Sequence, residues 1–520
     1  MYFPDRIKII VVFSSLFFFF SSVSVLSADQ AELDYYRNLV VKSGFPENDE
    51  TRRLFKDAVM ASKYPAGETL FKTYTQLSDG RKVVFDVRKQ VTNWYLIFRN
   101  ERGIEPWEKY PVWGRGTWII KKDLLSGKFV QAKIFLQDDE NSFVRLYPAS
   151  GGRSRINVYL YGAKIGRDVL IPVPFEKLLL SPFAEIVQAT GNSIDWNLIF
   201  PDPDNYGYRM VENLVSTLRS YSDYITEVGD AAVNSAGLNV YINSGKPVMA
   251  GDPASDGSPL EEGQCALNCS GYVKWVADGI YSAWAGSPGK LYTAIPELLE
   301  TTCRPAVNPW NEKYSSSDAA DRKRLGSILR DPYFGLDWNR NIAVKIEGRR
   351  LGLNLDPMNC RDVRTVETGP FDGVEYGETT GYHLEDLDTV LYRLASERPG
   401  SIYLAAVNSR FKPDNGSTPL HQYWHVFILA PWFGDGKNNT QRGKFHVAVL
   451  DTGSVGETFL KDPEKTGEPL FKAFIRSRAA RYADLGKNDQ GEVQYPEIMV
   501  YLNRADIPAD YKPVPPAPCY

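Results

Sequence analysis

One cysteine sets the chemistry open to this chain. Cys269 lies in Asn268-Cys269-Ser270-Gly271-Tyr272-Val273, and Cys269, Val273, Val276 and Ile280 recur at helical spacing through CSGYVKWVADGIYSAW, with Asn268 a competent N-cap. The spacing predicts a helix that begins at Cys269, with Asn268 and Ser270 on either side of the cysteine as cap and first-turn residue. Unpaired backbone N–H groups and the positive end of the helix dipole favour a thiolate there, lowering a free-thiol pKa of about 8.5 by one to several units. The same N–H groups suit an oxyanion. The competing explanation is half of a disulfide or a small buried residue. A nucleophilic thiol needs a base, and the chain has only His383, His421, His425 and His446. Three of these fall in one hairpin-like region, and His425 ranks above His421 because Pro419 breaks the approach to its strand.

The elements that must bring thiol and base together follow in order. Arg398-Pro399-Gly400-Ser401-Ile402-Tyr403-Leu404 reads as a turn and then a strand, His425-Val426-Phe427-Ile428-Leu429 as a second strand, and Lys444-Phe445-His446-Val447-Ala448-Val449-Leu450 as a third. The midpoint between His425 and His446 falls at Asp435 and Gly436, inside the turn-like run Gly434-Asp435-Gly436-Lys437-Asn438-Asn439. That centring predicts that the two imidazoles face each other, so that His446 holds His425 in its working tautomer. Asp451 is the second candidate for that role, although its odd separation from His446 points it to the other face of a regular strand. A zinc site built from His421, His425, His446 and a carboxylate is a competing reading, without HExxH or paired Cys-x-x-Cys spacing behind it.

These blocks resemble the NlpC/P60 family of papain-like thiol peptidases, known by an Asp-Cys-Ser-Gly-Phe-like nucleophile motif, a Pro-Gly-Asp-Leu-like strand start and a His-Val-Gly-Ile-like strand with a polar residue on the next strand. Cys269 matches the nucleophile, His425 the base and His446 the third residue, with Asn268 standing where the family carries aspartate. The resemblance implies an α+β fold with a papain-like catalytic domain, hydrolysis of an amide bond in peptidoglycan stem peptides, and neither metal nor organic cofactor. The long stretch between Cys269 and His425 implies an insertion at about 288–381. A thiol hydrolase or acyltransferase acting on another amide or ester is the second reading. A catalytically inert envelope-binding or scaffolding protein is the third.

The chain has 520 residues, 43% of them hydrophobic and 13% aromatic, enough for more than one core. A formal charge of -4 gives no overall basic bias and argues against nucleic acid as the main partner. Arg6 and Lys8, an apolar run from Ile9 to Leu26, and Ser27-Ala28 form a signal-peptide pattern over 1–28, which places the protein in the periplasm or outside the cell. Membrane attachment is expected only through that segment if it is uncleaved. Five cysteines in an exported chain leave at least one outside any intramolecular pair. With Cys269 as that thiol, Cys265, Cys303, Cys360 and Cys519 are available for two disulfides, in a pairing the spacing does not fix, or remain reduced.

Residues 29–205 read as a β-rich domain behind a helical lead at 30–62, with strands at Lys82–Val87, Trp94–Arg99, Thr117–Lys121, Phe129–Leu136, Phe143–Tyr147, Arg155–Tyr161 and Val169–Val173. Trp94, Tyr95, Trp107, Trp113 and Trp118 suit core packing better than a sugar-stacking surface. A helix from Gly207 to Val228 opens the catalytic domain, 206–505, and a long loop at 244–263 precedes Cys269. Within the insertion, short pieces such as Ile342–Ile346 read as strands and suggest a lid or substrate wall. Residues 506–520 read as an extended proline-rich tail.

Overall fold

A computed structural model describes residues 30–65, 71–100, 113–303, 333–359, 361–364, 374–377, 380–411, 420–435, 442–452, 454–458, 470–480 and 497–515. The expected signal peptide, Trp107, Cys360, Cys519 and most of the turn at 434–439 lie outside them. The chain is a mixture of helices and strands in two compact units. The first comprises Met1–Leu160, Lys164–Pro203 and Gly436–Gly443, the second Tyr161–Ala163, Asp204–Asp435 and Lys444–Tyr520.

The first unit is built on an eight-stranded sheet, β1 (Phe71–Thr75), β2 (Lys82–Lys89), β3 (Asn93–Asn100), β4 (Trp118–Asp123), β5 (Phe129–Phe135), β6 (Phe143–Ala149), β7 (Arg153–Leu160) and β8 (Ala163–Ile171), with each strand beside the next in sequence. Alternation dictates its core: Phe85, Leu96, Phe98, Trp118, Ile120, Ile134, Val144, Leu146 and Ile156 are fully buried. Trp94 and Trp118 belong to that core, so they form no sugar platform. The helical lead is broken into pieces at 30–42, Asp49–Leu54 and Lys56–Met60. Gly44, at φ +67°, and Pro46 supply the first break.

The second unit contains α1 (Tyr206–Arg219), a parallel pair β9 (Ile225–Glu227) and β12 (Cys265–Leu267), a small hairpin β10 (Ala232–Val233) and β11 (Asn239–Val240), α2 (Cys269–Trp284) and α3 (Phe334–Leu351). Then come β13 (Tyr376–Gly377), β14 (Gly381–His383), α4 (Leu387–Glu397), β15 (Ser401–Phe411), β16 (Leu420–Phe433), β17 (Phe445–Asp451), β18 (Ser454–Thr458), α5 (Leu470–Ala480) and β19 (Met499–Asp506). The strands from β13 onward form one sheet in the order β13-β14-β19-β15-β16-β17-β18, so β19 is inserted between β14 and β15.

Two expectations for this unit change. Ile342–Ile346 lies inside the eighteen-residue helix α3, which is buried on nearly every side. A helix buried all round loses the polar stripe that reveals its period, so a short apolar stretch of it looks like a strand. α3 is no lid: Gly335 brings it so close to β16 that a Cβ would meet the Tyr423 carbonyl at 2.6 Å, and Trp338 Nε1 donates to the Ser270 carbonyl at 3.0 Å. The proline-rich tail is likewise packed rather than loose. Trp275 Nε1 donates to the Val514 carbonyl, Val514 is fully buried, and Gly279 leaves room for Tyr511 and Lys512 along the back of α2.

Candidate active site

Cys269 is the first residue of α2, and Asn268 caps the helix with its side-chain oxygen accepting from the Gly271 N–H at 2.7 Å. Gly271 is required by the seat of this helix: a Cβ there would come within 2.1 Å of the Ala231 carbonyl, which itself accepts from the Asn268 N–H. The helix start is thus pinned to the backbone of the 231–232 segment. Ser270 is buried with Oγ 3.9 Å from the Cys269 sulfur, whereas Cys269 itself is partly exposed. A fixed backbone under an accessible sulfur is what a nucleophile needs.

β16 delivers His425 to the thiol. A β-bulge between Val407 and Asn408 of β15 interrupts the register, with Val407 opposite His425 and Asn408 opposite Tyr423, so the strand turns locally just before the histidine. His425 hydrogen-bonds to Cys269, and the Val426 backbone N–H also reaches the sulfur. On its other side, His425 Nε2 lies 3.2 Å from Asp451 Oδ2. Nε2 is therefore committed to the carboxylate, which leaves Nδ1 for the thiol.

Asp451 in turn is held from three directions. The Thr452 N–H donates to Oδ1 at 2.8 Å, His425 occupies Oδ2, and Arg478 Nη2 from α5 lies 3.2 Å from the same oxygen. Arg478 also lies 3.6 Å from Glu227, at the end of β9. β9 pairs with β12, the strand that runs directly into Cys269, so this guanidinium joins the two ends of the site.

The electrostatics follow from this chain of contacts. Burial raises the Cys269 thiol, but the adjacent His425 charge, the hydrogen bond from that ring and the Val426 N–H outweigh it, so the thiol sits below its ordinary value. Burial disfavours a charged His425, yet Asp451 and Cys269 on either side hold the imidazolium well above the usual histidine range. Burial likewise raises Asp451, and His425, Arg478 and the Thr452 N–H bring it below the usual carboxylate value. All three shifts run in the direction that favours a thiolate–imidazolium pair backed by a carboxylate.

The structure brings Asn268, Cys269, Ser270 and His425 together and leaves His446 out. Ile428 stands opposite Leu450 and Trp432 opposite His446, so the β16–β17 turn is centred later than the glycine-rich run suggested. His446 is seven positions from His425 along the register, roughly 24 Å at the strand rise, and on the opposite face of the sheet. There it stacks on Trp432 with ring centroids 5.1 Å apart. Asp451 takes the orienting role because it lies diagonally across from His425 on the same face. The separation of His425 and His446 also dismantles the proposed four-ligand zinc set. His421 is in β16 opposite Arg410, and His383 is exposed with Nε2 3.1 Å from Glu497.

Of the four remaining cysteines, Cys265 is a buried free thiol on β12, which removes it from the expected disulfide set. Cys303 is disulfide-bonded. Sequence reasoning missed Arg478 entirely. The one available signal was three basic residues, Lys472, Arg476 and Arg478, in a helix otherwise poor in charge.

The sequence profile of the family described as Domain of unknown function (DUF8515) matches residues 41–198, all of them in the first unit except Tyr161–Ala163. No curated protein and no solved structure matches the chain.

Proposed function

We propose that the second unit is a papain-like thiol hydrolase that cleaves amide bonds, and that the chain is exported to act on the stem peptides of peptidoglycan. The observation that carries this reading is the continuous chain Cys269–His425–Asp451, with the sulfur accessible at a helix N-terminus and the thiol lowered by the neighbouring imidazolium. The Cys269 thiolate attacks the amide carbonyl, and the α2 N-terminal N–H groups stabilise the oxyanion. The His425 imidazolium gives its proton to the leaving amine, the neutral ring then takes a proton from water, and the resulting hydroxide equivalent releases the acyl group from sulfur. Asp451 keeps Nδ1 turned to the thiol throughout. The substrate class rests on the motif resemblance to NlpC/P60 peptidases around Cys269 and His425, and the export rests on the sequence pattern over 1–28.

The test is mass spectrometry of peptidoglycan digested with the mature protein and with Cys269→Ala. New peptide ends produced only by the unmutated chain support the proposal. No new ends from either, with folding and reducing conditions verified, reject the substrate, and failure of iodoacetamide to alkylate Cys269 below pH 7 rejects the activated thiol.

A further inference from the structure

Lys133 and Arg145 stand directly opposite each other on neighbouring strands β5 and β6 of the first unit. In an antiparallel pair such residues have Cβ atoms roughly 5 Å apart, and like charges in that position destabilise the sheet. Both side chains are half-buried, which adds a desolvation cost to the repulsion. Among the described residues neither forms an ion pair. Lys133 Nζ rests 3.7 Å from the centre of the Phe143 ring. Arg145 donates only to neutral groups, Asn157 Oδ1 at 2.9 Å and Tyr159 Oη at 3.1 Å, and lies against the rings of Tyr147 and Tyr159.

Two carboxylates of this sheet are already engaged. Asp86 is shared by Arg88 at 2.6 Å and Arg99 at 3.8 Å, and Asp168 by Lys164 at 2.6 Å and Arg155 at 3.7 Å. Asp168 also accepts from Tyr147 and Asn157, so Asn157 stands between it and Arg145. Glu140 is exposed and exerts only a minor pull on Lys133, whose ammonium is lowered by burial and then by Arg145. Two adjacent half-buried cations with π faces but no counter-charge are a cost to the fold that a bound anion would remove.

We propose that Lys133 and Arg145 form the oxyanion-binding centre of a carbohydrate site, and that its ligand is an acidic saccharide. The planar fork of arginine and the point charge of lysine together suit a carboxylate, and the half-buried rings of Tyr147 and Tyr159 beside Arg145 suit the apolar faces of sugar rings, while the buried Phe143 ring carries Lys133. This site lies in the unit matched by the uncharacterised family and is independent of any thiol chemistry.

The experiment is calorimetric titration of the mature protein with a galacturonate oligomer and with a neutral glucose oligomer of equal length, repeated with Lys133→Gln and with inorganic sulfate as competitor. The expected result is binding of the acidic oligomer alone, weakened at least tenfold in Lys133→Gln and competed by sulfate. Circular dichroism checks the variant's fold, and a thermal upshift of the unmutated protein by the acidic oligomer gives a readout that needs no variant. Equal binding of both oligomers, no binding of either, affinity unchanged in a folded Lys133→Gln, or binding of sulfate without the saccharide each overturns the assignment.

Discussion

Each unit holds a set of charges withdrawn from water, and the two sets are arranged in opposite ways. In the second unit the signs alternate along a line, Cys269, His425, Asp451, Arg478 and Glu227, each group answered by the next. In the first unit Lys133 faces Arg145, and neither forms an ion pair among the described residues, with only the weak pull of the exposed Glu140 on Lys133. Alternation lets a buried charge persist within the protein, as the lowered thiol and raised imidazole both reflect. A like-charged pair with no answer inside the chain points outward, to a partner brought from solution. Compensation keeps the charges of the second unit's site within the protein, and its absence at Lys133 and Arg145 is what points to a ligand.

The sharpest break of the alternating set is Cys269→Ala, expected to lower kcat/KM by at least ~10³-fold while the fold is retained, as checked by circular dichroism beside the peptidoglycan assay. Asp451→Asn is expected to cost roughly 10²- to 10⁴-fold, because the imidazole loses both its tautomer and its counter-charge. It carries a stability signature as well. A histidine raised from 6.5 to about 10 contributes stability that is fully present below about pH 6.5 and is lost as pH climbs through the folded value. The difference in denaturation midpoint between the native protein and Asp451→Asn should therefore be greatest at pH 5 to 6 and shrink toward pH 10.

Arg478→Gln leaves the catalytic groups in place but frees Asp451 on one side, and kcat is expected to fall on the order of tenfold through looser positioning. With the guanidinium gone, the Asp451 charge acts on His425 alone, so the basic edge of the pH–rate profile should move upward. A purely structural role for Arg478 would lower the amount of folded enzyme without moving that edge. His446→Phe keeps an aromatic ring on Trp432 and should leave kcat/KM unmoved. A loss comparable with that of Asp451→Asn would return the orienting role to His446. The smallest effect is expected in the other unit: Lys133→Met removes the repulsion with Arg145 and should stabilise the ligand-free protein by about 0.5 kcal/mol, a melting rise of roughly 1–3 °C by calorimetry.

How far these features were legible in the sequence depended on how local they were. The helix beginning at Cys269 and its Asn268 cap lie within a few residues of one another, and both could be read directly. So could six strands of the first sheet, β2 to β7, whose neighbours in space are neighbours in sequence, separated by turns such as Gly127 and Gly151 at positive φ, whereas the expected strand at Val169–Val173 meets only the end of β8 (Ala163–Ile171). β1 was overlooked because its side chains are mostly exposed and show no burial alternation. The third residue of the site was misplaced by a register error: the glycine-rich run at 434–436 looked like the centre of the turn, whereas the pairing of Ile428 with Leu450 moves it further along. An odd register shift moves a residue to the other face, and here a shift of seven positions exchanged Asp451 for His446. Arg478 was beyond reach, because nothing local ties a helix at 470–480 to a carboxylate at 451 or to Glu227.

The interior place of β19 bears on the order in which the protein is made. α2 emerges from the ribosome long before β19, which completes the middle of the sheet, and before residues 511–514, which cover the helix's back. Such distant pairings are slow to form and leave hydrophobic strand edges open in the meantime. Until those distant segments have folded, the Cys269 helix lacks its base, its carboxylate and its covering, and only its own N-terminus favours the thiolate.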